Sequence, residues 1–208
     1  MNIAVTILIG YLLGSFPTGL LIGRVAGIGD VRRYGSGKTG FTNSLRTMGI
    51  RWAVLVLLID AVKGAAPVLI GQFLFEEPWA AALGGFASVI GHTWPVFAGF
   101  RGGRGVATAF GAFIAVSLPA AVAVLAIGLI FLAVFRYASV MSIVGVFAGF
   151  ISIVALVVTN QTAGPYFLFG LLTMVTVELN HLSNIKRLLA GTEPKIGQSD
   201  QSHDVAGV

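Results

Sequence analysis

The chain alternates long apolar stretches with short polar connections. Residues 1–23, 78–100, 105–135 and 137–177 contain no Asp, Glu, Lys or Arg. Each run matches or exceeds the roughly 20 apolar residues that cross a hydrocarbon core. Predicted membrane-spanning helices cover about residues 3–22, 52–75, 79–97, 138–158 and 166–178, the last extending towards Arg187. The second is interrupted by Asp60 and Lys63, and the run 105–135 is too long for one helix. Ser117-Leu118-Pro119 marks a break inside that run, because proline lacks the N–H that a helix interior needs.

Charge decides how many crossings this makes. If the run 105–135 crosses once, Arg136 and the basic residues Lys186, Arg187 and Lys195 face away from the basic clusters at 24–51 and 101–104. If it crosses twice, as two short helices about Pro119, every basic cluster falls on one side. The acidic Glu76-Glu77 turn and the uncharged 159–164 turn then fall on the other. Basic residues are retained in the cytoplasm, so the expected architecture is an all-α, polytopic helix bundle of seven transmembrane helices. Its N-terminus is outside and its C-terminus cytoplasmic. Residues 1–196 read as one transmembrane domain, and 197–208 as a polar, disordered tail.

Composition agrees and narrows the class. Of 208 residues, 56% are hydrophobic and 10% charged, with a mean hydropathy of +0.92, whereas soluble domains carry about a quarter charged residues. This excludes a soluble enzyme, a nucleic-acid module and a disulfide scaffold. The net charge of +5 is therefore topological rather than a sign of nucleic-acid binding. There are no cysteines, and the three histidines are widely separated, so no metal site is expected. Residues 1–23 lack the basic start of a cleavable signal and read as a retained span.

Three polar elements carry candidate chemistry. The first loop runs Gly35-Ser36-Gly37-Lys38-Thr39-Gly40-Phe41-Thr42-Asn43-Ser44-Leu45-Arg46. Its glycines can turn successive N–H groups towards one anion, and a helix starting near Thr42 or Asn43 would aim its positive end there. The second, Arg101-Gly102-Gly103-Arg104-Gly105, sets two guanidinium forks among glycines, as phosphate binding requires. The third is the helical series Glu178, His181, Asn184, spaced to share one face. Together they point to a ligand that is phosphorylated and meets the membrane. A nucleotide loop is excluded, because Arg32 occupies the first glycine position of the Walker pattern.

Other polar residues have plainer readings. Arg24, Arg51, Arg136, Lys186 and Arg187 read as topology and headgroup anchors. Asp60 and Lys63 can pair within one helix, serving either packing or function. His92, between Gly91 and Pro95, suits either a packing role or a place in the site. Gly84, Gly85 and Gly145 suit close helix packing.

The stretches Gly14-Ser15-Phe16-Pro17-Thr18-Gly19, Gly35-Ser36-Gly37, Gly40-x-Thr42-Asn43-x-x-Arg46 and Asp60-x-x-Lys63-Gly64 stand in this order. They are followed by Gly91-His92-x-x-Pro95-Val96-Phe97, the run 101–108, Arg136-Tyr137-x-Ser139 and His181-x-x-Asn184, ending in Gly191-Thr192-Glu193. Together they resemble the bacterial acyl-phosphate:glycerol-3-phosphate acyltransferases of PlsY type. The resemblance implies a multi-pass inner-membrane enzyme with its active site facing the cytoplasm. It would transfer a fatty acyl group from acyl phosphate to the 1-hydroxyl of glycerol 3-phosphate, giving lysophosphatidic acid and phosphate, the first acylation of phospholipid biosynthesis. By the same resemblance Ser36, Arg46, Arg104, His181 and Asn184 bind glycerol 3-phosphate and position its hydroxyl. Thr42, Asn43, Ser139 and Ser142 clamp the acyl phosphate together with the loop residues Gly35, Gly37, Lys38, Gly40, Arg101, Gly102, Gly103 and Gly105. No cofactor, metal or coenzyme A is implied. The partners are the two substrates, membrane lipid and, as a candidate, the soluble enzyme that supplies acyl phosphate.

The chain departs from that pattern in its first loop, in its second loop and near its end. Lys38 stands where Asn is common, Phe41 for Ala, Arg101 and Arg104 for Lys, and Leu182-Ser183 for a charged pair. These changes bear on substrate preference more than on fold, and they leave open a paralogue acylating a related phosphorylated alcohol. The rival from another class is a transporter of an organic phosphate or lysophospholipid. Transporters show internal repeats and binding at the midplane; here no repeat is evident and the polar clusters gather at one face.

Overall fold

The computed structural model describes residues 1–197; the tail expected at 197–208 lies, but for Gly197, outside them. The described residues form helices joined by turns. Helix α1 (Asn2–Gly14) breaks at Ser15–Pro17 and continues as α2 (Thr18–Val25). After a single 3₁₀ turn at Val31–Arg33 come α3 (Phe41–Met48) and α4 (Ile50–Leu69). Pro67 leaves the α4 ladder one donor short, and the helix continues as a π-helical turn at Ile70–Leu74. Then follow α5 (Pro78–Thr93), α6 (Val106–Val116), α7 (Leu118–Phe135), α8 (Ala138–Val158), α9 (Pro165–Asn180) and α10 (Leu182–Leu189).

Among the described residues, four helical stretches are long and apolar enough to cross a membrane: Asn2–Val25, Ile50–Leu74, Leu118–Phe135 and Ala138–Val158. Val106–Val116 and Pro165–Asn180 are shorter apolar helices. The break in the long run falls at Ser117, which is extended (φ −164°, ψ 113°) and whose side chain accepts from the Ala120 N–H. Pro119 sits in the first turn of α7, where its missing N–H costs nothing. The two pieces are unequal rather than both short. At the usual rise α6 is roughly 16 Å long and α7 roughly 27 Å.

Small residues set the helix spacing, as expected where lipid supplies no hydrophobic drive between helices. A Cβ on Gly10 or Gly14 of α1 would strike the carbonyls of Gly84 or Ser88 in α5. A Cβ on Gly64 of α4 would strike the Thr108 carbonyl, and one on Gly111 of α6 the Ala61 carbonyl. Gly84 and Gly145 are likewise packed against neighbouring helices. The core lies among α5, α6, α7, α8 and α9, where Phe113 meets Phe169 edge-on with ring centroids 5.2 Å apart. This packed half holds α6 rigidly, and the loop that leads into α6 carries Arg104.

Candidate active site

The first loop is organised by Asn43. Its Oδ1 accepts the Ser36 N–H at 2.9 Å, and its Nδ2 donates to the carbonyls of Lys38 (2.8 Å), Val31 (3.1 Å) and Tyr34 (3.2 Å). Gly35, at φ +54°, lies against Asn43 Oδ1 where no side chain would fit. Asn43 is thus committed to the loop rather than offered to a ligand. Helix α3 starts at Phe41, and Gly40, Phe41 and Thr42 line a cavity. Its first-turn amides therefore open onto that space. Arg46, one turn on, lines it too, as do Ser36 and Lys38.

The second loop is held against the end of α5. The Gly102 N–H donates to the Thr93 carbonyl and the Gly103 N–H to the His92 carbonyl. A Cβ on Gly103 would overlap His92 Nε2. These amides are engaged with protein, so the glycines provide close passage instead of an anion nest. His92 Nδ1 lies 3.6 Å from Asp60 Oδ1, and Lys63 Nζ lies 2.8 Å from the same oxygen and donates to the Phe16 carbonyl at 3.1 Å. All three side chains are buried. Asn180 Nδ2 reaches both Thr93 Oγ1 and the Arg104 carbonyl. Arg104 is thereby fixed from α5 and α9, directly before Gly105 (φ +87°) caps α6. The start of α6, Val106 and Ala107, also lines the cavity.

The third element differs from a continuous helical face. The helix breaks at His181, and His181 and Asn184 line the cavity whereas Glu178 does not. His181 Nδ1 lies 2.8 Å from the Val177 carbonyl. A carbonyl only accepts, so Nδ1 carries the proton and Nε2 is left with its lone pair. Burial lowers the His181 pKa most, the Arg104 charge lowers it further, and the Val177 hydrogen bond and Glu193 oppose; the result is about 4. The ring is neutral at physiological pH. Asn184 Nδ2 donates to Glu193 Oε1 at 2.7 Å, and Arg187 Nε donates to Glu193 Oε2 at 2.8 Å.

The resulting cavity, of about 420 Å³, has a lining of two characters, a polar part and an apolar part. Ser36, Lys38, Thr42, Arg46, Asp60, His92, Arg104, Ser139, Ser142, His181, Asn184, Arg187 and Glu193 make the polar part. Leu57, Phe110, Val124, Leu125, Leu129, Leu132 and Met141 make the apolar one. Leu125 and Leu129 are also surface-exposed, so the apolar part opens sideways towards lipid. Asp60 is paired with Lys63, and Glu193 with Arg187. Lys38, Arg46 and Arg104 have no carboxylate at ion-pair distance among the described residues. Burial, with the charges of Arg187 and Arg46 and against that of Glu193, brings the Arg104 pKa to about 10, so it remains charged. Desolvation and Arg104 lower that of Lys38.

Most of the sequence-predicted residues come together here, Gly40 and Gly105 included, and some do not. Gly35, Gly37, Asn43, Lys63, Arg101, Gly102 and Gly103 lie off the cavity wall. Arg101 is exposed, and its carbonyl accepts from Arg32 Nη1. Ser142 lines the cavity while its hydroxyl donates to the Ala138 carbonyl. Arg187 looks like an anchor in sequence and lines the site, and Glu193, which ends the last matching stretch without an assigned role, lines it too. The signal for both was available: one carboxylate just beyond the Gly191 turn, within reach of the last basic turn of α10.

The family model described as "Glycerol-3-phosphate acyltransferase" matches residues 4–191. A glycerol-3-phosphate acyltransferase of Synechococcus sp. (strain JA-3-3Ab) is 46% identical over 91% of this chain and 91% of its own. That of Parasynechococcus marenigrum (strain WH8102) is 43% identical over 91% of this chain and 88% of its own. The crystal structure of PlsY, an integral membrane glycerol 3-phosphate acyltransferase, in its glycerol 3-phosphate form superimposes with a TM-score of 0.87. It is 35% identical and matches over 95% of this chain and 96% of that one. The lysophosphatidic acid form gives a TM-score of 0.85 at 34% identity. With a family model matched over nearly its whole length and relatives of this identity, this chain belongs to the PlsY-type glycerol-3-phosphate acyltransferase family and is a multi-pass membrane acyltransferase.

Proposed function

We propose that the chain transfers a fatty acyl group from acyl phosphate to the 1-hydroxyl of glycerol 3-phosphate, the first acylation in phospholipid synthesis. The observation that carries this reading is the cluster Lys38, Arg46 and Arg104, three cations without a carboxylate at ion-pair distance among the described residues, in a cavity that also has an apolar wall. Both substrates bring phosphate, and one brings an alkyl chain. Arg46, Arg104 and Ser36 hold the phosphate of glycerol 3-phosphate, while His181 Nε2 and Asn184 Oδ1 accept hydrogen bonds from its hydroxyls. Lys38, Thr42, Ser139 and the first-turn amides of α3 hold the acyl phosphate. The acyl chain lies along Phe110, Leu125, Leu129 and Leu132.

Alignment and charge stabilisation carry the reaction. The hydroxyl oxygen attacks the acyl carbonyl carbon, the C–O bond to phosphate breaks, and the hydroxyl proton leaves on phosphate. An imidazole titrating at about 4 is a weaker base than a phosphate dianion, whose second pKa is about 6. His181 therefore orients the hydroxyl, and the phosphate takes its proton.

Positive-inside orientation supports seven crossings, with the N-terminus outside and the site facing the cytoplasm of a bacterial inner membrane. Helices α6 and α7 line one cavity at positions spaced about Ser117, which supports a hairpin there. The chain has no native cysteine, so single cysteines at residues 76 and 186 can be labelled from either side. Opposite-side labelling is expected, and same-side labelling would remove this topology. Activity is tested by phosphate release from acyl phosphate by purified protein, with and without glycerol 3-phosphate. Acceptor-dependent release is expected. Release that ignores the acceptor would refute this function.

A further inference from the structure

Beyond α10 the chain turns at Gly191 (φ +69°) and runs back to the start of α8. The Ile196 N–H donates to the Arg136 carbonyl at 2.8 Å, Arg136 Nη2 reaches the Ile196 carbonyl at 3.4 Å, and Lys195 Nζ lies 5.6 Å from the centre of the Tyr137 ring. This strap joins the end of α10 to the start of α8. Its one buried side chain is Glu193, 8% exposed, which faces Asn184, Arg187 and Ser139 at the cavity wall. Burial alone would raise the Glu193 pKa, but the hydrogen bonds from Asn184 and Arg187, the nearby Ser139 hydroxyl and the Arg187 charge hold it below the ordinary value. It is ionised, and an ionised carboxylate only accepts hydrogen bonds.

That restriction settles the direction of an otherwise reversible side chain. An amide has a donor end and an acceptor end of nearly the same shape. With Oε1 of Glu193 at 2.7 Å, the end of Asn184 facing the strap must be nitrogen. Its Oδ1 then faces the other way, buried and without a hydrogen-bond partner among the described residues. Leaving an acceptor buried and unpartnered is unfavourable, and a hydroxyl donor from a ligand would relieve it. A flipped amide would show that hydroxyl an N–H₂ instead.

We infer that Glu193 is a positioning residue for the acceptor alcohol, locking the Asn184 amide so that its oxygen receives a substrate hydroxyl. The inference rests on the acyltransferase reading and adds to it the residue that selects a hydroxyl donor. Glu193→Gln keeps the shape but offers Asn184 either end of an amide, so the orientation is no longer enforced. The expected result is a KM for glycerol 3-phosphate raised about tenfold, the equivalent of one oriented hydrogen bond, with the KM for acyl phosphate within about twofold of wild type. Combined with Asn184→Ala, the Glu193→Gln change should add nothing further to the glycerol 3-phosphate KM, because the two act as one unit.

Equal rises in both KM values, multiplying losses in the double variant, or an unchanged acceptor KM would each overturn the inference. If Glu193→Gln does not yield folded protein in detergent, Glu193→Asp keeps the charge while shortening its reach, and the same acceptor-selective rise is expected. Wild-type protein is assayed alongside. Acceptor-independent release there refutes the acyltransferase reading itself, whereas an active wild type with a normal variant refutes only the role of Glu193.

Discussion

Gly103 lies directly against the His92 imidazole, and a Cβ at that position would overlap Nε2. The imidazole cannot retreat easily. It is buried, its Nδ1 faces Asp60, and Asp60 is in turn paired with Lys63, whose ammonium is tied to the Phe16 carbonyl. The loop backbone must therefore move instead, carrying the next residue, Arg104, with it.

Gly103→Ala is accordingly expected to fold and to lose about 100-fold in acyl transfer, the scale on which a displacement of about 1 Å acts in an active site. His92→Ala in the same background opens the space that the new methyl needs and should restore part of the activity. Steady-state phosphate release on the two variants measures this. A fully active Gly103→Ala would show that the loop position does not govern Arg104.

Arg104 itself is the second prediction. It has no carboxylate at ion-pair distance among the described residues, stays charged, and lies just before α6 and close enough to His181 to act on its charge. Arg104→Ala removes a charge-assisted donor from a low-dielectric site and is expected to lower kcat/KM by about 10²–10³. Arg104→Lys keeps the charge without the fork and should lose much less. Both variants should elute as folded protein in detergent. Near-normal transfer by Arg104→Ala would place the phosphate elsewhere.

Asn43 gives a stability prediction where its sequence context suggests a ligand contact. Its amide joins four backbone groups of one loop, and a net contribution of roughly 0.5–1.5 kcal/mol per bond sets the scale. Asn43→Ala should destabilise by about 2–4 kcal/mol. Asn43→Asp should do no better, because a carboxylate cannot donate to the carbonyls of Val31, Tyr34 and Lys38. Thermal unfolding in detergent reads this directly. A variant with unchanged melting and a selectively raised KM for acyl phosphate would return Asn43 to the substrate.

The contrast between Asn43 and Arg104 shows where sequence is informative. Membrane insertion, the break at Ser117 and the gathering of three polar elements all follow from local hydropathy, proline geometry and charge asymmetry, which act over one helix or one loop. The fate of a single polar side chain depends on what packs beside it. Gly102 and Gly103 look like an anion nest until the carbonyls of His92 and Thr93 are found beneath them. Glu178 falls in step with His181 and Asn184 only while the helix is assumed continuous, and it leaves the site once the turn at His181 breaks that period. Glu193 is legible as one half of a pair with α10, but its hold on Asn184 appears only after the strap has folded back.

His181 supplies the pH dependence. An imidazole in an unfolded chain titrates near 6.5, whereas burial first, and the Arg104 charge after it, bring the folded value to about 4 in spite of the Val177 hydrogen bond and Glu193. Between those values the unfolded chain binds a proton that the folded one does not, so stability rises with pH through this window. The contribution is complete above about pH 6.5, declines as the pH falls, and levels off below about 4. At about 1.4 kcal/mol per pKa unit the decline amounts to roughly 3 kcal/mol. Replacing the ring with a side chain that does not titrate removes this part of the slope. His181→Gln should therefore melt with a shallower dependence on pH between 6.5 and 4 than wild type. Identical slopes for the two proteins would mean that the imidazole titrates no lower in the folded state than in the unfolded chain, and would overturn the neutral, hydroxyl-accepting role of His181.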